Sequence, residues 1–466
     1  MPLSPLGEPP DGLTAGRVSG LEILGHAVAN ITPSAMAAVT ISLVAANAGS
    51  FTWLVYLVVG AVMWLVATQV ALLAADTPAA GSLFVYFARA IHPLAGVIAG
   101  WSMVGGYLGA LLAAPVLAGL FAAKAAALMH IVVPAGPLSV AFAIMSWWLA
   151  VRNVEIAARS SLIIELVSLA AMTAIGVVTL FHHGFVDPVQ FDPRNFHWRG
   201  VLRAGTLTVL AFGGFETAGN LAREGRGPAG SAPKAMTASV LLVGGFFVFM
   251  AYAVVAGFSN HTRRLGGTIA PLNWLAVHEN TPVLGLFADI GMATAAFSAA
   301  IATFNSIARI MYSMARHRIL PVQLAALHPE HHTPVVALGV LGVLATGFAA
   351  VMAVVHLPVL EVINLFGIFT SLGFLVIYLL ALIAAPVHVR RWGRRIPALS
   401  WAALAIGVPV LLRVLATNLY PPPPFPRDWV TLAFFGYLFL GAAVFLWRSR
   451  SDPGCVSALA EGISGD

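Results

Sequence analysis

Twelve apolar runs, each long enough to cross a bilayer, constrain this 466-residue chain more than any motif does. In hydrocarbon no water satisfies backbone N–H and C=O groups. A spanning segment must therefore close its own hydrogen bonds, which runs of about 20 apolar residues do as α-helices. The runs lie near 21–47, 51–75, 94–122, 135–151, 160–182, 200–222, 236–258, 284–314, 334–356, 361–386, 397–418 and 429–447. Only 9% of the residues are charged, against roughly 25% in a soluble domain. The expected class is an all-α polytopic membrane protein with 12 transmembrane helices. The +6 formal charge would raise nucleic-acid binding in a soluble chain, but here the basic residues sit in short loops, where they set topology. Nucleic acid is set aside as a partner. Cys455 is the single cysteine, so neither a disulfide framework nor a thiolate metal site is available.

With an internal N-terminus, the inside loops hold about twice as many Lys and Arg residues as the outside loops. Arg89, Arg318, Arg391 and Arg448 belong to the inside set, and Lys124, Arg199, Arg203 and Arg427 to the outside set. That bias places both termini in the cytosol, and the expected location is a plasma membrane of the bacterial inner-membrane kind. Residues 1–20 lack a basic stretch followed by an apolar core, so they read as a cytosolic tail rather than a secretory signal. A second cytosolic tail covers 448–466.

Two spans carry residues that break helices. In the first, Asn30-Ile31-Thr32-Pro33-Ser34 places a proline where its ring clashes with the carbonyl four residues back. In the sixth, Ala211-Phe212-Gly213-Gly214-Phe215-Glu216 sets two glycines and a carboxylate inside an apolar run. A helix opens in a bilayer only where the freed backbone faces protein, water or a ligand. Corresponding breaks in two halves are expected when two five-helix repeats of opposite orientation each begin with a discontinuous helix. This divides the chain into a first repeat (21–182), a second repeat (200–386) and two further helices (397–447). Half-helix N-termini offer N–H groups to an anion and half-helix C-termini offer carbonyls to a cation, so the pair suits a zwitterion. Glu216 lies just beyond the second break, where a carboxylate is stabilised as an anion and can hold the break open; carrying a proton is the alternative.

Three patches resemble the amino acid-polyamine-organocation (APC) transporters. The first is Phe212-Gly213-Gly214-Phe215-Glu216 with Ala222 to Pro228 and Ala232-Pro233-Lys234-Ala235. The second is Thr77-Pro78-Ala79-Ala80-Gly81-Ser82 to Tyr86 with Gly100-Trp101. The third runs from Asn305 through Arg309, Tyr312 and Arg316 to Leu320-Pro321 and Thr333-Pro334. The chain departs from that pattern at Pro33-Ser34-Ala35, where many members have G-S-G, and at Ala79, where they have a basic residue. The resemblance implies the LeuT-like fold with helices 1 and 6 broken. It also implies a substrate carboxylate at the N–H groups of Ser34, Ala35 and Met36, and an ammonium at the carbonyls of Ala211, Phe212 and Gly213. Phe212 or Phe215 is a candidate gate.

Some members place a lysine, standing in for sodium, where this chain has Ser168. Two coupling schemes follow: Na⁺ held by Ser168 with Ser298, or a proton taken up by Glu165. The proton reading is preferred, with an ion pair between Glu165 and an arginine as a further alternative. His26, one turn before Asn30, is a third candidate titrating group, though a lone helical histidine is more often a packing residue. No cofactor is expected, and no metal beyond that possible Na⁺. The sequence holds no HExxH, nucleotide-binding loop or nucleophile elbow, so no enzyme activity is expected. The expected function is a secondary transporter that moves amino acids or related organic amines by alternating access, coupled to protons or by exchange. The alternatives are a non-transporting receptor for the same ligands and a Na⁺-coupled carrier of another small nitrogenous solute. The substrate and the lipid bilayer are the expected partners, and oligomeric state is left open.

Overall fold

The computed structural model describes residues 19–76, 83–152, 158–221 and 231–451. Most of both expected tails, most of the Thr77 to Tyr86 patch and the Ala222 to Pro228 motif lie outside the described residues.

Apart from the sixth run, helix boundaries follow the apolar runs to within about six residues. Ser19 starts α1 (Gly20–Ile31) with a capping box. Its hydroxyl accepts from the Glu22 amide at 3.3 Å, and its own amide donates to the Glu22 carboxylate at 2.8 Å, so two otherwise orphaned donors are satisfied. The helix stops at Thr32, whose φ of 51° is left-handed, and α2 (Pro33–Ala48) begins at once. Pro33 is a good first residue for the second half because it has no amide to leave unpaired. The expected break is thus a one-residue interruption. The sixth run behaves differently: α8 (Trp198–Ala211) ends at the glycines and the chain continues as a tight 3₁₀ turn, Phe215–Leu221.

Around these lie α3 (Thr52–Asp76), α5 (Pro93–Leu128), α6 (Ala135–Val151), α7 (Ala158–His183), α9 (Ser231–Gly257), α12 (Pro282–Arg316), α13 (Val335–Val355) and α14 (Val359–Arg391), followed by the segments Ala398–Ala416 and Arg427–Ser451. Three short helices had no counterpart among the apolar runs: α4 (Leu83–Ala90), α10 (Thr262–Gly266) and α11 (Pro271–His278). Among the described residues there are nine stretches long and apolar enough to cross a membrane, and no strand beyond one isolated bridge, Leu327 with Pro334. Apolar side chains such as Leu166, Leu241, Val343 and Phe439 face outward, as a bilayer requires.

Small residues bring the helices together. On α5, Gly106 meets the Gly373 backbone of α14, Gly109 meets Thr370, and Gly96 meets Phe84 and Ala88 of α4. Between α7 and α12, a Cβ on Gly291 would sit 2.1 Å from that of Ser168. Gly291→Ala is therefore expected to overpack this contact and destabilise by about 1–3 kcal/mol, read as a lower melting temperature of the detergent-purified protein.

Several arginines are held by backbone carbonyls or gathered at one cavity. Arg391 donates to the Arg89 carbonyl (2.6 Å) and Arg448 to those of Arg318 and Leu320 (2.9 and 3.3 Å). Arg199, Arg203 and Arg413 line a separate cavity with Trp198 and Tyr420.

Candidate functional site

The two breaks touch. Gly214 has a φ of +112°, a conformation that glycine adopts without the Cβ penalty. A Cβ there would lie 2.5 Å from the Asn30 carbonyl oxygen and 3.0 Å from the Ile31 amide nitrogen. The backbone of the first break therefore packs directly on the backbone of the second, with α2 alongside α8 and α1 alongside α9 and the 3₁₀ turn.

At the second break, the carbonyls of Ala211, Phe212 and Gly213 receive no hydrogen bond among the described residues. The Gly214 carbonyl, by contrast, accepts from the Thr217 amide (3.1 Å) and hydroxyl (2.7 Å). Glu216 is tied on both sides: one oxygen accepts from the Gly214 amide (3.0 Å) and the other from the Tyr107 hydroxyl of α5 (2.9 Å). An aromatic wall closes around it, with Tyr107 edge-on to Phe374 (5.4 Å) and Tyr378 stacked on both Phe374 (5.7 Å) and Phe215 (5.6 Å). Phe212 turns the other way and is fully buried, against Gly60 of α3 and Phe247 of α9.

At the first break, Asn30 bonds back one turn to His26, through the ring nitrogen (3.0 Å) and the carbonyl (2.9 Å). The Met36 amide is already taken by the Thr32 carbonyl (3.0 Å). The Ser34 amide and hydroxyl both donate to Glu165 of α7, at 2.9 and 2.7 Å. Three N–H groups assigned to a substrate carboxylate are thereby reduced to that of Ala35 as the one these bonds leave over. Met36 is spent because α2 begins directly at Pro33, and Ser34 because Glu165 reaches it. Both bonds of Glu165 go to Ser34, and no arginine pairs with it among the described residues.

Ser168 and Ser298 are not brought together. The Ser168 hydroxyl donates to the Ala288 carbonyl (3.2 Å) and packs on Gly291, seven residues along α12 from Ser298, or roughly 10 Å of rise. Two serines so placed cannot share one cation at the 2.3–2.6 Å typical of a hard ion's oxygen ligands. No group of His, Cys, Asp or Glu arranged for a metal occurs among the described residues.

Several polar residues escaped the sequence reading. Tyr107 and Tyr378 carry no motif. Asp289, fully buried on α12, accepts from Asn273 of α11 at 2.5 Å and lies within electrostatic range of Lys124. Its signal was available, since an ionisable residue inside a span is a functional candidate by default. Glu279, just beyond α11, holds His182 and His183 at the end of α7.

The amino acid permease family profile matches residues 23–448. An uncharacterized transporter of Mycobacterium tuberculosis is 30% identical over 346 residues, covering 72% of each chain. The branched-chain amino acid permease BcaP of Bacillus subtilis is 25% identical over 81% of each. The low-affinity putrescine importer PlaP of Escherichia coli is 25% identical over 59% of this chain and 62% of its own. In fold, the chain is similar to a manganese transporter of Eremococcus coleocola (TM-score 0.57, 11% identity, 97% and 99% covered).

Proposed function

Because this chain belongs to the amino acid permease family and is a multi-pass membrane transporter rather than an enzyme, we propose that it is a secondary active transporter of amino acids or related amines. The reading includes twelve spans arranged as a five-plus-five inverted repeat with two additional helices, alternating access, cytosolic termini and a bacterial plasma membrane. The observation that carries it is the contact of Gly214 with Asn30, which brings the two breaks together beside three carbonyls that have no donor among the described residues. Those carbonyls at the end of α8 suit an ammonium group. The separation of Ser168 from Ser298 favours a proton over Na⁺ as the coupling ion.

The test is uptake into proteoliposomes of radiolabelled L-leucine, L-alanine, L-lysine and putrescine. Saturable flux accelerated by an inward proton gradient is expected, at a rate unaffected by replacing Na⁺ with K⁺. Binding of any of these without flux would establish a receptor instead, and uptake that requires Na⁺ and ignores pH would reject proton coupling. A thermal-shift screen of the same compounds ranks the substrates, since a ligand of the native state raises apparent stability.

A further inference from the structure

We infer that Glu165 is the chain's own stand-in for the substrate carboxylate. It holds the donors of α2 while ionised, and must take up one proton and withdraw before a substrate carboxylate can bind. This rests on the transport reading above and adds to it how proton and substrate are linked.

Glu165 is buried, and comes from a helix 131 residues away in sequence to meet a half-helix N-terminus within the membrane. It engages that end as a bound anion would, one oxygen on the amide and the other on the hydroxyl of Ser34. A second carboxylate brought about 4 Å away would be repelled enough to weaken its binding on the order of a thousandfold. Protonation removes that repulsion. The proton comes from the outer aqueous phase, converts the carboxylate to a carboxylic acid, and leaves to the cytosol when the substrate departs and Glu165 returns to Ser34.

The other groups that could impose a pH dependence are few. On α2 no residue is charged, and α9 has none between Ala235 and Gly257. On α1 stand Glu22 and His26, the latter bonded to Asn30. On α12, Ala288 accepts from Ser168, with Asp289 next in sequence and Lys124 within electrostatic range of Asp289. On α11, His278 is stacked on Trp274. No charged side chain from these elements touches Glu165 among the described residues.

The experiment measures binding of L-leucine, or of whichever neutral amino acid ranks first in the thermal-shift screen, to the full-length protein between pH 5 and 9. Its decarboxylated amine (3-methylbutylamine for leucine) serves as control. Above the titration of Glu165, amino acid affinity should fall about tenfold per pH unit, the slope for one linked proton, while amine binding should not follow that slope. At a pH above that titration, where Glu165 starts ionised, a pH-indicator dye in weak buffer should register one proton taken up per amino acid bound by the unmodified protein. Glu165→Gln should bind the amino acid with no pH dependence and still exchange it across the membrane, but lose gradient-driven accumulation. If the unmodified protein takes up no proton on binding, or if Glu165→Gln keeps the slope so that His26 or Asp289 must supply it, the swap is overturned while the transporter reading stands. If neither amino acid nor amine binds at all, the transport reading falls and the swap with it.

Discussion

Replacing Gly214 by alanine is expected to abolish substrate binding and uptake while the protein still purifies as a monodisperse species. The residue sits at φ +112°, and the added Cβ would be 2.5 Å from the Asn30 oxygen and 2.8 Å from its carbonyl carbon. Neither neighbour is a flexible side-chain tip. Relief requires the two interrupted helices to separate, which displaces both halves of the proposed site. A strained backbone of this kind costs about 1–3 kcal/mol, and the clash adds to it, so a loss of affinity of roughly 100-fold or more is expected. Gly213→Ala is the control. There the Cβ meets the Phe374 ring at 3.0 Å, and a ring can shift by a few tenths of an ångström, so a milder loss is expected. Unchanged affinity in Gly214→Ala, measured by thermal shift with the best ligand, would remove the breaks from the binding site.

The second large effect is expected at Glu216, and its character should differ from that at Glu165. Glu216→Ala strips the Gly214 amide and the Tyr107 hydroxyl of their shared acceptor. Each buried group left unpaired costs about 1–3 kcal/mol, so an apparent destabilisation of roughly 2–6 kcal/mol and severe loss of uptake follow. Glu216→Gln retains an acceptor oxygen for one of the two donors and should be milder. Because Glu216 is assigned a bracing role, the pH profile of the residual uptake in Glu216→Gln should match that of the unmodified protein. Uptake that becomes indifferent to pH in this variant would make Glu216 the proton carrier and refute the brace.

Much of the architecture was legible in the sequence. The spanning helices could be bounded because burial in hydrocarbon leaves the backbone one economical solution, and the apolar runs end close to where the helices end. The breaks were legible for a similarly local reason. Pro33 lacks an amide whatever surrounds it, and glycine at 214 allows the positive φ that the break uses.

The wiring between helices was not legible. Ser34 meets Glu165 across 131 positions and Tyr107 meets Glu216 across 109, and no periodicity within one helix says which residue of another it will face. The proposed Ser168 and Ser298 pair failed for that reason. Each lies on an apolar helix, but the close approach of α7 to Gly291 sets a register that spends Ser168 on the Ala288 carbonyl. The short helices α10 and α11 were missed because they are too short and too polar at their ends to register as spans, yet Gly266 packs on Ala46 of α2 and Asn273 holds Asp289.

Composition and local chemistry by themselves determined that the chain is a membrane-embedded helical bundle interrupted in two places. Only the tertiary structure decided what occupies the interruptions. A half-helix end in a bilayer must find a partner for its exposed donors, and here a carboxylate from a third helix supplies it. Which helix could do so depended on how small residues let the bundle close, a property of the packed whole rather than of any one segment.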